Sequence, residues 1–145
     1  MSGKPSVRVA QTDEEILRCF PVVAGLRPHL QPEEFVERVR RQEREDGYRI
    51  AFLETDGAVH CVAGYRLSEN LAWGRFLYVD DLVTAEQHRS HGHGEQVFEW
   101  LVQQAREAGC DEFHLDSGVQ RFGAHRFYLA RRMDITAHHF ALKLR

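Results

Sequence analysis

Apolar and polar positions repeat along the chain with two periods, and the switches between them predict its elements. Residues 6–10 alternate as a short strand. Thr12-Asp13-Glu14-Glu15 has the form of a capping box, so a helix carrying Ile16, Leu17 and Phe20 should start there. Pro21 has no backbone donor and is expected to end or kink that helix. Pro28 and Pro32 bracket a connection. Pro32 suits the first turn of a second helix, which runs to about residue 46 on a stripe of Phe35, Val36 and Val39 until Gly47 stops it.

Three strands should follow. Residues 48–54 and 59–67 flank Asp56-Gly57, a strong hairpin signal. The third spans 73–83, after the polar turn Ser68-Glu69-Asn70. Its centre is apolar on both faces, as in a central strand, except for Asp80 and Asp81. Residues 92–108 read as a helix with Val97, Leu101 and Ala105 on one face beside Phe98 and Val102, closed by Gly109. A short strand is expected at 112–115 and a helix at 122–132. A terminal strand should place His138, Phe140, Leu142 and Leu144 on one face. The order βααβββαβαβ implies an α+β fold with a central mixed sheet.

A length of 145 residues is one domain's worth, enough to bury a core without disulfides or metal. The composition, 43% hydrophobic and 28% charged, excludes a disordered chain. A net charge of -3 gives no basic footprint for nucleic acid. No run approaches a membrane span, and the first residues lack the apolar core of a signal peptide. Cys19, Cys61 and Cys110 are odd in number and unrelated in spacing, so reduced, mostly buried thiols and a cytoplasmic location are expected.

The sharpest chemical feature is Arg89-Ser90-His91-Gly92-His93-Gly94, set between a buried strand and an amphipathic helix. Such glycines let the backbone turn tightly and bring N–H groups against a phosphate. The positive end of the following helix points to the same place, and Arg89 adds charge-assisted hydrogen bonds. The loop therefore reads as a diphosphate cradle. His88, His91 and His93 lie close together, but no cysteine or carboxylate set completes a metal site.

The segment from Tyr78 to Gly94 resembles the acetyl-CoA signature of the GNAT superfamily of N-acetyltransferases, with its Arg/Gln-x-x-Gly-x-Gly/Ala loop. Leu115-Asp116-Ser117, Ala124 and Phe127-Tyr128 are similar to the later segment of that family. The resemblance implies the GNAT fold, a mixed, mostly antiparallel sheet of about six to seven strands flanked by four helices. It implies acetyl-CoA as cosubstrate and a primary amine, on a small molecule or a protein, as acceptor. It gives the Leu82 amide the task of stabilising the oxyanion, Val83 and Thr84 the pantetheine arm, and Arg89 through Gly94 the pyrophosphate. Tyr128 is then the acid that protonates the departing thiolate.

An amine with the reference pKa of lysine, about 10.4, must lose a proton before it attacks. A carboxylate near the middle of the third strand can accept it. Asp80, expected on the side of Tyr78 and Leu82, is the first candidate, Asp81 the second and Asp116 the third. Arg121 stands where the family has Asn, and Arg132-Met133 where it often has Gly-Phe. Only 12 residues follow Met133, so the usual final strand pair is shortened, leaving the acceptor site open or closed by a second subunit of a homodimer. Two other readings remain at this point: a catalytically silent GNAT-fold module that binds or senses CoA, and an unrelated nucleotide-phosphate binder.

Overall fold

A computed structural model describes residues 5–85 and 92–145, and Arg89, Ser90 and His91 lie outside the described residues. The described elements run β1 (Ser6–Val9), α1 (Asp13–Leu26), α2 (Pro32–Asp46), β2 (Tyr48–Thr55), β3 (Ala58–Asn70), β4 (Gly74–Thr84), α3 (His93–Glu107), β5 (Glu112–Leu115) and α4 (Phe122–Ala130). The strands form one sheet in sequence order, β1 to β5, and β1 through β4 pair antiparallel. The chain divides into two compact units, Met1–His114 and Leu115–Arg145.

Local signals account for most boundaries. The Thr12 hydroxyl accepts from the Glu15 N–H at 3.1 Å while the Glu15 carboxylate receives the Thr12 N–H, so both halves of the capping box are made. Gly47 ends α2 in the left-handed region, at φ 68°. Asp56 and Gly57 both take positive φ, as a two-residue hairpin turn requires.

Two expectations give way for physical reasons: Pro21 does not end its helix, and the terminal strand does not form. Helix α1 runs on through Pro21 to Leu26. Pro21 is exposed and cannot donate to the Leu17 carbonyl, while Val22 and Val23 beyond it are buried. Their burial outweighs one lost hydrogen bond. The terminal strand is absent too: residues 134–145 belong to no helix or strand, and Phe140, Leu142 and Leu144 are 85–91% exposed. The described sheet therefore has five strands, not six or seven. Period-2 patterning sets which side chains would share a face, but a strand also needs a neighbour to bond to.

The sheet separates two buried layers in the first unit. Tyr48, Ile50, Phe52 and Val62 meet Ile16, Phe20 and Val23 of α1 and Phe35 and Val39 of α2. Ala51, Leu53 and Ala63 alternate with them and so face the opposite way. Helix α3 contributes Val97, Phe98, Leu101 and Ala105 to the buried set. Around β5, His114 stacks on Trp73 at 3.5 Å, Phe113 meets Phe98, and the Asp111 N–H donates to the Arg75 carbonyl at 2.6 Å.

The second unit contains α4 and the terminal residues. Helix α4 buries no residue. It is held locally, with the Arg131 guanidinium 3.9 Å from the Phe127 ring and the His125 ring nitrogen 2.8 Å from the Gly118 carbonyl.

Candidate active site

The site in the first unit is built on an irregularity. Tyr78 of β4 pairs with Arg66 and Val79 with Tyr65, but Asp81, not Asp80, pairs with the next residue, Gly64. Asp80 is the extra residue of a β-bulge. The bulge inverts the face pattern beyond it. Asp80 follows Tyr78, as its spacing suggests, but Leu82 does not: it pairs with Ala63 and points to the opposite face. Asp80 and Asp81, one residue apart, both turn toward the α1/α2 face.

Each carboxylate meets an arginine there. The Arg66 Nε lies 3.0 and 3.1 Å from the two oxygens of Asp80, and its Nη2 donates to Oδ2 at 2.8 Å. Both Asp80 oxygens are thereby engaged. Arg66 also reaches Gln42 Oε1 at 2.7 Å and lies over the Tyr48 ring at 5.1 Å. Arg27, at the end of α1, donates through Nε and Nη2 to Asp81 Oδ1 alone, at 2.9 and 2.6 Å. This pair ties the α1–α2 connection to the middle of β4.

Tyr48 closes this group from β2. Its ring lies over Gly64, where an added Cβ would stand 2.7 Å from the Tyr48 Cζ. Glycine at 64 therefore makes room for the tyrosine beside the bulge. Burial, then the charges of Asp81 and Asp80, push the Tyr48 phenol far above its ordinary pKa, so it stays protonated.

Beyond the bulge, Leu82, Val83 and Thr84 pair with Ala63, Val62 and Cys61 on one side. On the other, β5 starts beside Arg75 and is four residues long against eleven in β4. At roughly 3.3 Å per residue it covers only the first part of β4. The Ala85 N–H donates to the His60 carbonyl at 2.8 Å, and the His60 ring stacks on His93 at 4.9 Å. The end of β4 and the mouth of α3 are therefore together. Gly92 is the N-cap of α3, at φ 78°, and the helical ladder begins with the Gln96 N–H on its carbonyl. Among the described residues nothing lies within 4 Å of a Cβ built on Gly92, and its positive φ favours glycine there. The first-turn amides of α3 follow that cap and point out of the helix end.

Two further predicted groups belong to the second unit. Tyr128 is on α4 in the second unit, half-buried, edge-on to Phe127 at 5.4 Å. Asp116 lies 3.5 Å from His139 in the same unit. The cysteines are free, and burial raises the Cys19 thiol to about 12 and the Cys61 thiol to about 11. No metal-ligating cluster and no helix long and apolar enough to cross a membrane occurs among the described residues.

Sequence reasoning missed Tyr48, Arg66 and Arg27. One signal was available: two carboxylates on a largely apolar strand require cations, and Arg66 is a charge that directly follows a run of buried β3 residues.

A family model described as the acetyltransferase (GNAT) family matches residues 9–133. This chain belongs to the GNAT acetyltransferases. It is 31% identical over 115 residues, 79% of its length and 81% of the other's, to an uncharacterised N-acetyltransferase, YhdJ, of Bacillus subtilis. The fold matches an aminoglycoside N-acetyltransferase, AAC(6')-Iy, solved with CoA, at TM-score 0.86 and 12% identity, covering 98% of this chain and 95% of that one. It also matches glucosamine-6-phosphate N-acetyltransferase of Arabidopsis thaliana at TM-score 0.78 and 18% identity, over 99% and 100% of the two chains. The protein is thus an acetyl-CoA-dependent N-acetyltransferase with a GNAT fold, whose described residues form four helices and a five-stranded mixed sheet.

Proposed function

We propose that this GNAT enzyme, as a single domain comprising both units, acetylates a primary amine by direct attack on acetyl-CoA. The first-turn amides of α3 and the residues before them, Arg89, Ser90 and His91 included, hold the pyrophosphate. The pantetheine arm lies along Val83 and Thr84, and the Leu82 N–H receives the developing oxyanion. A β4 carboxylate takes the proton of the amine, and Tyr128 returns one to the CoA thiolate. Catalysis of this kind needs no acyl-enzyme. The raised thiols of Cys19 and Cys61 support that, since a protonated thiol is a poor nucleophile.

The observation that carries the reading is the bulge at Asp80, with strand backbone beyond it leading to the left-handed Gly92 cap. Between the two carboxylates, the hydrogen bonds favour Asp81 as the base, directly or through a water. Arg66 takes both oxygens of Asp80, whereas Arg27 takes only Oδ1 of Asp81. The acceptor is a small-molecule or protein amine.

The test is CoA release over a panel of amines by wild type and Tyr128→Phe, with acetyl-CoA binding measured beside it. Tyr128→Phe should bind acetyl-CoA as wild type does and turn over more slowly. Unchanged turnover would remove the acid role from Tyr128.

A further inference from the structure

The two arginine–aspartate pairs of β4 differ in how far they are spent. Arg66 is closed: its Nε and Nη2 engage both oxygens of Asp80, Nη2 also reaches Gln42, and Nη1 lies 3.4 Å from Asp46. Arg27 is open. It gives its Nε–H and one Nη2–H to Asp81 Oδ1. The second Nη2–H and both Nη1 hydrogens form the outer edge of the guanidinium, a fork that suits an oxyanion. Among the described residues, neither Arg27 Nη1 nor Asp81 Oδ2 takes part in a hydrogen bond. A free donor edge and a free acceptor thus stand side by side.

The backbone holds Arg27 in place. Its N–H donates to the Val23 carbonyl at 2.8 Å and its carbonyl accepts from the Leu30 N–H at 3.2 Å, where α1 gives way to the connection to α2. The two side chains differ in exposure, 46% for Arg27 and 15% for Asp81. A ligand that meets both therefore puts its cation inward, on Asp81, and its anion outward, on Arg27. The charges set the same requirement. Arg66 balances Asp80 and Arg27 balances Asp81. A neutral zwitterion keeps that balance, whereas a diamine leaves an unpaired cation beside two guanidinium groups.

We infer that the acceptor is a compact zwitterion like an amino acid, a primary amine with an oxyanion a few bonds away, and that Arg27 is the residue that selects it. The ammonium settles on Asp81 Oδ2, which takes its proton, and the oxyanion bridges the Nη1 and Nη2 donors of Arg27. Arg27 keeps its bonds to Asp81 Oδ1, so it holds the carboxylate still while it reads the other end of the acceptor. An amine without the anion reaches Asp81 but leaves the fork unfilled. This rests on the proposed attack of an amine beside a β4 carboxylate.

Matched acceptors test it: glycine, β-alanine and γ-aminobutyrate, each against its own amide, which lacks only the anion, with putrescine as the dication. Wild type should favour the acid over its amide by about 10- to 100-fold in kcat/KM, the range for a hydrogen bond to a charged group, and should use putrescine least. Arg27→Gln should raise KM for the acids by that factor and change the amides far less, and Arg27→Lys should restore part of the preference. Loss of a mere tether between α1 and β4 would slow acids and amides equally. Asp81→Asn should slow acids and amides alike, and wild-type turnover there would sink the β4 base itself, and this inference with it. With Asp81→Asn slowed, equal rates for acid and amide, a preference for putrescine, acetylation of none of the acids, or an acid preference that survives Arg27→Gln would overturn the selection by Arg27 alone.

Discussion

The two halves of β4 differ in what they do for the protein. Before the bulge, Leu77 and Val79 are buried to 0% and 3% exposure and pair with Leu67 and Tyr65 in plain antiparallel register. After it, no residue from Asp80 to Thr84 is fully buried. One strand thus divides its labour: its first half holds the sheet together, and its second presents carboxylates and backbone. A single inserted residue makes the change, because it turns two consecutive aspartates to one face without interrupting the sheet.

The contrast is broken most strongly at the second half. Asp81→Asn should lower CoA release by about 10²- to 10⁴-fold, the range for a lost general base, while urea unfolding moves little. Leu77→Ala should do the reverse. It should cost about 2–5 kcal/mol in urea unfolding and leave turnover per folded molecule close to wild type. If Leu77→Ala cost turnover and not stability, the division of labour would be wrong.

The bulge region itself should be sensitive to volume. Gly64→Ala places a methyl against the Tyr48 ring and should cost about 1–3 kcal/mol. In a Tyr48→Phe background the penalty should shrink, which a double-mutant cycle in urea measures. Smaller again is Arg66→Gln, which leaves Asp80 without its guanidinium. With both side chains about one quarter exposed, the loss should be about 1 kcal/mol.

A reference far from the bulge is Glu54, whose carboxyl is held below its usual value of 4.5 by hydrogen bonds from Arg18 and then Arg8. A depressed carboxyl contributes stability that is present above about pH 4.5 and is lost as pH falls through its folded value. Glu54→Gln should therefore flatten the acid side of the stability profile by a small amount and leave turnover at neutral pH unchanged.

What the sequence made legible was local. The capping box at Thr12, the Asp56-Gly57 turn and the Gly47 stop each act over a few residues, and each sits where its residue types require. What it hid depends on pairing across the fold. The bulge is a relation between β4 and Gly64 of β3, so counting along β4 alone put Leu82 on the wrong face. Arg27 reaches Asp81 across 54 positions and Arg66 reaches Asp80 across 14. Neither partnership has a periodicity to betray it. Pro21 shows the same limit, since its local rule yields to burial of the valines that follow it.

The account rests on the junction of β4 with the mouth of α3 as the seat of acetyl-CoA, and calorimetry tests it most directly. Wild type should give a saturable heat at one acetyl-CoA per chain. Gly92→Val, which forces a β-branched residue to φ 78° at the helix cap, should fold and give none. Equal heats from the two proteins would contradict the account.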